Sequence, residues 1–382
     1  MSFKDVTTLG SVVKCFDSKR IPLSTREREM KQGRVPYYGA AGIIDYVNEP
    51  IFSGLYLLMG EDGSVSKDDG TPVLQLVSGE FWINNHAHVL QGETDIDTRY
   101  LYYALGKTNI QGFVTGAVQP KLNQANMNRI PVYYPEKSIR ERIVDILGGL
   151  DDKIELNRQT NATLEAIAQA IFKEWFVDFN YPGATGEMVD SELGPIPKGW
   201  QVVNINSLSQ VIYGAPFASS LFTKDSIGRP LIRIRDLPNE QPSAFTIEVH
   251  PKGYLAKPGD ILVGMDGEFR AYLWGGDDSW VNQRICAFKP VIEIPSPFLY
   301  FSIIEPLAKV EATETATTVI HLGKNDIDLF RFALPSIEVL RDFGNITEPI
   351  FEKIIINKKE SRILSTTRDI LLTRLMTGKV EI

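Results

Sequence analysis

The stretch SIRERIVDILGGLDDKIELNRQTNATLEAIAQAIFKEWFVDFN, Ser138 to Asn180, decides how the rest of this chain is read. Its apolar residues recur at alternating steps of four and three: Ile143, Leu147, Leu150, Ile154, then Leu164, Ala168, Ile171 and Trp175. That period draws a single seam along one long helix. Asn157 and Asn161 hold the two central seam positions. The pattern returns 200 residues later as Phe343, Thr347, Ile350, Ile354, Asn357, Ser361, Leu364, Arg368, Leu371 and Leu375, with the central Asn in register. A helix on the order of 65 Å, at ~1.5 Å per residue, needs a partner along its seam. The second run supplies it.

Each run follows a segment of short β-rich pieces punctuated by Gly and Pro. Val35 to Ile44 reads as strand, Gly turn and strand, with further strands at Ile51–Met59 and Phe81–Leu90, a helix at Thr98–Leu105 and a last strand over Ile130–Pro135. Pro135 stops this segment, and Ser138 with Glu141 has capping-box spacing for the long helix. Tyr181-Pro182-Gly183 ends that helix, and composition makes the run up to Trp200 a linker. Beyond it the order repeats. Gly264-Met265-Asp266-Gly267 answers Gly60-Glu61-Asp62-Gly63, Trp280-Val281-Asn282 answers Trp82-Ile83-Asn84, and Phe298-Leu299-Tyr300 answers Tyr100-Leu101-Tyr102. The second helix starts near Ser336, with Gly378 as its terminating residue.

The expectation is therefore α+β: a first domain over 1–135, a helix over 136–180, a linker and second domain over 181–335, and a second helix over 336–382. Antiparallel pairing would centre on Asn157–Ser361 and Asn161–Asn357 and bring Trp175 to Phe343; a parallel register also pairs Asn157 with Asn357, so periodicity leaves the direction open. A polar layer in an apolar seam fixes register at some cost in stability.

Composition narrows the chemistry. A net charge of −8 argues against a generic basic DNA coater. Cys15 and Cys286 are far apart, so neither a disulfide framework nor a zinc site is indicated. No apolar run spans a bilayer and the N-terminus lacks a signal-peptide core, which fits a reducing cytoplasm. Gly106-Lys107-Thr108 lacks the leading Gly of a nucleotide loop, and no dinucleotide-binding glycine pattern follows a strand. There is no Asn-Pro-Pro or Asp-Pro-Pro for holding a target amine, and no Pro-Asp to begin a metal-dependent nuclease motif. His86 and His88 would share one strand face, more simply as polar surface than as half a metal site, and Asp151-Asp152 and Asp277-Asp278 read as solvated charges. No catalytic or metal constellation is expected.

What the turns do offer is Lys67, Gln119, Lys121, Asn123 and Arg129 in the first domain, and Arg233, Arg235, Arg270, Arg284 and Lys324 in the second. Such side chains reach phosphates and base edges. The segment that most resembles a binding loop is Gly116-Ala117-Val118-Gln119-Pro120-Lys121-Leu122-Asn123, answered by Ala316 to Gly323.

The tandem plan, Val35 to Gly42, the Gly116–Asn123 loop, the helix text from Ile139 through Asn157, and Leu193 to Trp200 together resemble the specificity subunits of type I restriction-modification systems, over nearly the whole length. The second domain departs from that pattern around Tyr213–Asp236 and at Thr318-Val319-Ile320. The resemblance implies a non-enzymatic reader of double-stranded DNA with a bipartite target, one domain per half. The paired helices, antiparallel because the two domains must be held apart, would space the halves and dock two methyltransferase subunits, with motor-nuclease subunits joining for restriction. S-adenosylmethionine, ATP and Mg²⁺ would belong to those partners and no cofactor to this chain. The reading to set against it is a coiled-coil scaffold that binds proteins and no nucleic acid. A hydrolase with an unrecognised site ranks last, and would need a deep pocket with a clustered acid and base.

Overall fold

The computed structural model describes residues 5–116, 118–223, 226–314 and 320–376. They fall into two compact units, Met1–Lys153 with Leu364–Ile382, and Ile154–Ile363. Among the described residues no helix is long and apolar enough to cross a membrane.

The first unit opens with β1 (Val6–Thr8), β2 (Lys14–Cys15), α1 (Thr25–Met30), β3 (Gln32–Tyr38), β4 (Ile43–Val47) and β5 (Phe52–Gly60). There follow β6 (Leu74–Ile83), β7 (Ala87–Gln91), α2 (Asp95–Leu105), α3 (Gln124–Asn128), β8 (Pro131–Tyr133) and the start of α4 (Lys137–Phe176), whose residues from Ile154 on belong to the second unit. Six strands form one sheet in the order β2-β7-β5-β6-β3-β4, with only the β3–β6 pair parallel. Side chains alternate across it. Leu58 joins Phe52, Phe81 and Val89 on one face, whereas Leu57 and Met59 meet Tyr100, Leu101 and Leu105 of α2 on the other. A capping box between Thr94 and Asp97 starts α2.

Three expectations need correcting here. Phe81–Leu90 is not one strand: Asn84 Oδ1 accepts the His86 amide at 2.8 Å, and this local turn separates β6 from β7. The long helix begins at Lys137, so Ser138 lies inside it; the Glu136 carbonyl accepts from Ile139 and Arg140 instead. Its end comes at Phe176 rather than Asn180. The Val177 and Asp178 amides both turn back to the Lys173 carbonyl, and Phe179 takes a left-handed φ of 60° that sets its ring edge-on to Trp200.

The second unit contains β9 (Met188–Val189), β10 (Ile196–Pro197), β11 (Gln201–Asn204), β12 (Ser209–Tyr213), β13 (Phe222–Thr223), β14 (Arg229–Ile232), β15 (Ala244–Thr246) and β16 (Leu255–Ala256). It continues through β17 (Ile261–Gly264), β18 (Ala271–Leu273), β19 (Ser279–Val281), β20 (Ile285–Pro290), α5 (Ser296–Glu314), α6 (Lys324–Asp328) and β21 (Arg331–Leu334) into α7 (Ile337–Met376), whose residues from Leu364 on belong to the first unit. The stretch before Trp200 is more than a linker: β9 and β10 pair, and Ile196 and Trp200 are buried in the core. The β14–β19 pair is parallel, Leu231 to Trp280, as β3–β6 is, Tyr37 to Trp82. The long strand β6 has no single counterpart. Gly275 and Gly276 break it into β18 and β19, and the sheet splits into four- and five-stranded pieces. A Cβ on Gly276 would lie 2.2 Å from the Trp274 ring, so the break is sterically tied to that buried indole. Arg362 of α7 donates to the Gly275 carbonyl, and Lys358 donates to Leu273 at 2.8 Å.

The seam is as spaced, and its direction is antiparallel. In the second unit Asn157 Nδ2 donates to Glu360 (2.9 Å) and Ser361 (3.2 Å), Asn161 Nδ2 donates to the Ile354 carbonyl (3.2 Å), and Trp175 meets Phe343. Numbers rise on one helix as they fall on the other. In the first unit Ile143 and Leu147 share a core with Leu371 and Leu375, and Asp151 takes a 2.6 Å ion pair from Arg368. Asp151 is thus no solvated charge: Tyr103 also donates to it at 2.6 Å. The remaining seam residues, Leu150, Ile154, Leu164, Ile171, Ile350 and Leu364, are buried or half-buried. Gly378 lies outside the described residues.

Candidate nucleic-acid interface

The two units build one loop junction with the same backbone bonds. In the first, β5 ends at Gly60 and runs into Glu61-Asp62-Gly63; a Cβ on Gly60 would lie 2.1 Å from the Ser64 carbonyl, so only Gly fits. The Glu61 amide donates to the His86 carbonyl (2.9 Å), the Leu122 amide to Glu61 (2.7 Å), and the Gly63 amide to Pro120 (3.2 Å). In the second, Met265 donates to Arg284 (2.9 Å), Leu322 to Met265 (2.8 Å) and Gly267 to Ile320 (3.4 Å). An isolated bridge joins Asp62 to Lys121 and another joins Asp266 to His321. Residues 61, 86, 121 and 122 therefore correspond to 265, 284, 321 and 322.

The side chains at this junction differ. Asp62 binds His86 Nδ1 at 2.5 Å, while Asp266 binds His321 Nδ1 at 2.7 Å with Arg284 3.5 Å away. The acid is common to both, and the histidine changes places with a Lys or Arg between the two positions. Sequence reasoning missed these acid–histidine pairs, although the repeated Gly-x-Asp-Gly was the available signal.

Of the residues singled out from sequence, Gln119 and Lys121 project from the first junction, both exposed, with Lys121 3.9 Å from Glu61. Asn123 is exposed but already employed: its Oδ1 accepts the Asn126 amide at 2.8 Å and caps α3. Arg284 belongs to the second junction, and exposed Lys324 follows it at the start of α6. Ala117 and Ala316–Val319 lie outside the described residues. Lys67, Arg129, Arg235 and Arg270 are exposed, and among the described residues no hydrogen bond or ion pair joins them to either junction. Arg270 pairs with Glu268 at 2.9 Å. Arg233 is not free at all. Half-buried, it binds Asp236 (3.3 Å) and Ser243 and braces its own turn. Arg26 and Arg34, on and after α1, are exposed cations that sequence reasoning passed over.

His86 and His88 do not share a face. His86 sits in the turn before β7, and His88 is buried, its Nε2 2.8 Å from the Leu122 carbonyl and its Nδ1 2.6 Å from Asp17. A carbonyl only accepts, which places a proton on Nε2. Burial works to raise the Asp17 carboxyl, but His88, the Val89 amide and Arg20 outweigh it and hold it below the usual range. Cys15 Sγ completes a group within 4.8 Å of these atoms. This is a hydrogen-bonded set rather than an open cation seat, since both ring nitrogens are engaged, Arg20 lies 3.5 Å from Asp17, and burial pushes the Cys15 thiol up to about 11.

A family model described as the type I restriction modification DNA specificity domain matches residues 2–166 and 197–369. The specificity subunit of the type I restriction enzyme MjaIX of Methanocaldococcus jannaschii is 24% identical, over all of this chain and 96% of its own. That of HindI, from Haemophilus influenzae, is 27% identical over 68% of this chain and 71% of its own. The crystal structure of an S subunit from M. genitalium superposes with a TM-score of 0.57, covering 97% of this chain and 95% of the other at 15% identity, a likeness of fold.

Proposed function

The chain belongs to the type I restriction-modification specificity subunits, and from that premise we propose that each of its two domains reads one half of a bipartite DNA target. The observation that carries this reading is the doubled loop junction: one backbone frame, two different sets of exposed donors and acceptors. Divergent side chains on a common frame suit two unlike half-sites. A split, non-palindromic target is the natural product of a duplicated reader.

In this reading the chain is not itself an enzyme. The antiparallel α4–α7 pair sets the gap between half-sites and docks two methyltransferase subunits. Exposed Ile356, Ile363 and Ile370, one heptad apart on α7, support a helical partner there. Motor-nuclease subunits join the same assembly, and S-adenosylmethionine, ATP and Mg²⁺ are held by partners. The partners would also supply much of the phosphate grip, in keeping with the chain's net charge of −8.

The test is a methylation map of DNA from cells expressing the chain with its cognate methyltransferase subunit, beside cells expressing that subunit alone. Adenine methylation at a two-part motif with a fixed gap, only when both are present, is the expected result. Methylation independent of this chain would overturn the reading.

A further inference from the structure

Beneath the first junction lies a set of polar and charged side chains that has no counterpart among the described residues of the second. Asp17, Arg20, Glu61 and His88 have side-chain exposures of 13%, 12%, 15% and 1%. Each ties a different stretch of chain. Arg20 donates to Glu61 (2.6 Å), to the Ala87 carbonyl (2.7 Å) and to the Asp17 carbonyl (3.1 Å). His88 spans from Asp17 to the Leu122 carbonyl. Glu61 in turn faces Lys121. Strand β7, the loop after β5, the turn after β2 and the segment carrying Gln119 and Lys121 are thereby held by side chains as well as by backbone.

Among its described residues the second domain keeps the backbone bonds but carries apolar side chains at the positions of Glu61 and His88. Position 61 is Met265, 6% exposed, and the correspondence of 86 with 284 makes Cys286, fully buried, the counterpart of His88. Tyr213 of β12 pairs with Cys286 where β2 leads into Asp17. Apolar packing is adaptable, and methionine most of all. A hydrogen-bonded charge network is directional and works only when every member is in place.

We propose that Asp17, Arg20, Glu61 and His88 are positioning residues of the first domain alone, which fix the segment bearing Gln119 and Lys121 for base reading. This rests on the reading of that loop as a DNA-contacting element. It makes the chain asymmetric: recognition of one half-site depends on a buried charge network, and recognition of the other on apolar packing.

Two measurements on His88→Leu, His88→Gln and Glu61→Gln test it. In the full chain with its methyltransferase subunit, His88→Leu should relax preference at the first half-site by about tenfold, with the second half-site and the gap unchanged. His88→Gln, which can still donate to the Leu122 carbonyl, should recover most of that preference. Glu61→Gln, at a less buried position, should relax the same half-site if His88→Leu fails to fold. In the chain without DNA, amide exchange at Lys121 and Leu122 should quicken by about tenfold in His88→Leu while Leu322 keeps its rate. Equal loss at both half-sites, or unchanged exchange at Leu122, overturns the proposal. Should the unaltered complex methylate no bipartite motif, the DNA-reading premise falls, and the exchange rates alone then decide whether the network positions the loop.

Discussion

Arg140→Leu should destabilise the first unit severely, although leucine is the residue the second repeat carries at the matching helix position, Leu340. Arg140 donates to Asp97 at 2.9 Å and to the Pro135 carbonyl at 2.5 Å, and its guanidinium lies 3.9 Å from the centre of the Tyr134 ring. Tyr134 donates to the same Asp97 oxygen at 3.0 Å. The pair has side-chain exposures of 11% and 4%. Removing the cation leaves a buried carboxylate short of its partner, costing about 3–5 kcal/mol, and loses about 1 kcal/mol of cation–π attraction. A buried leucine offsets about 1–2 kcal/mol of this, leaving a net loss of about 3 kcal/mol. Burial would raise the Asp97 carboxyl, but Thr94, Tyr134 and Arg140 together hold it below its ordinary value. A carboxyl depressed in the folded state contributes stability above its unfolded pKa of about 4 and loses it as pH falls through the folded value. The gap between Arg140→Leu and the unaltered chain should therefore be widest near neutrality and close below about pH 4. Hydrogen exchange read by mass spectrometry, on peptides covering 95–105 and 131–143, gives the first unit's opening free energy, with peptides from 296–313 as internal reference. A change below about 1 kcal/mol, or a loss shared equally by the reference peptides, would refute the reasoning.

Asn357→Leu removes a buried Oδ1 that has no hydrogen-bond partner among the described residues, but it also takes away the amide that donates to Asn161 Oδ1 at 2.8 Å; the two offset, and the seam should change by less than about 1 kcal/mol in chemical denaturation followed by helical signal. Asn161→Leu should destabilise the seam by about 1–3 kcal/mol, since it strands the Asn357 amide that now donates to Asn161 at 2.8 Å beside an Oδ1 that already has no partner among the described residues. A gain from Asn161→Leu, or an equal loss from both, would show that the layer is not read correctly. Inserting one heptad between Leu147 and Leu164 should lengthen the gap of the methylated motif and leave both half-sites as they were; an altered half-site would count against the ruler. Exchanging residues 200–335 for those of another family member should change one half-site only, by the same mapping.

The long-range plan was legible because it is periodic. Seam residues such as Leu147, Trp175, Phe343 and Leu375 must face inward over many turns, and that requirement is written in their spacing. Direction was not legible, since Asn157 and Asn357 match in either sense; contacts such as Asp151–Arg368 carry it, and they look like ordinary surface charges in sequence. The helix ends were misread for a related reason. Ser138 has the right chemistry for a cap, but Arg140 anchors the turn from within the helix by reaching back to the Pro135 carbonyl. The base-reading candidates were named by residue type, and type alone does not separate an exposed Gln119 from an Arg233 that braces its own turn.

The repeat itself was legible only at landmarks, and the structure gives the reason. The first domain joins α4 through Asp97, Tyr134 and Arg140, and the second joins α7 with Leu334 and Leu340 in the places of Tyr134 and Arg140. The first junction rests on Glu61 and His88, and the second on Met265 and Cys286. At each joint one repeat uses charges and the other apolar side chains. Such sites cannot drift one residue at a time, because Leu against Asp97, or Arg against an apolar neighbour, strands a buried charge. What survives in both repeats is the frame: a glycine at each strand end, Gly60 and Gly264, the parallel pairing through Trp82 and Trp280, and the heptad seam. If the loop junctions read half-sites as proposed, block exchange of the side chains beneath them would let a duplicated reader acquire two specificities while the frame stays unaltered.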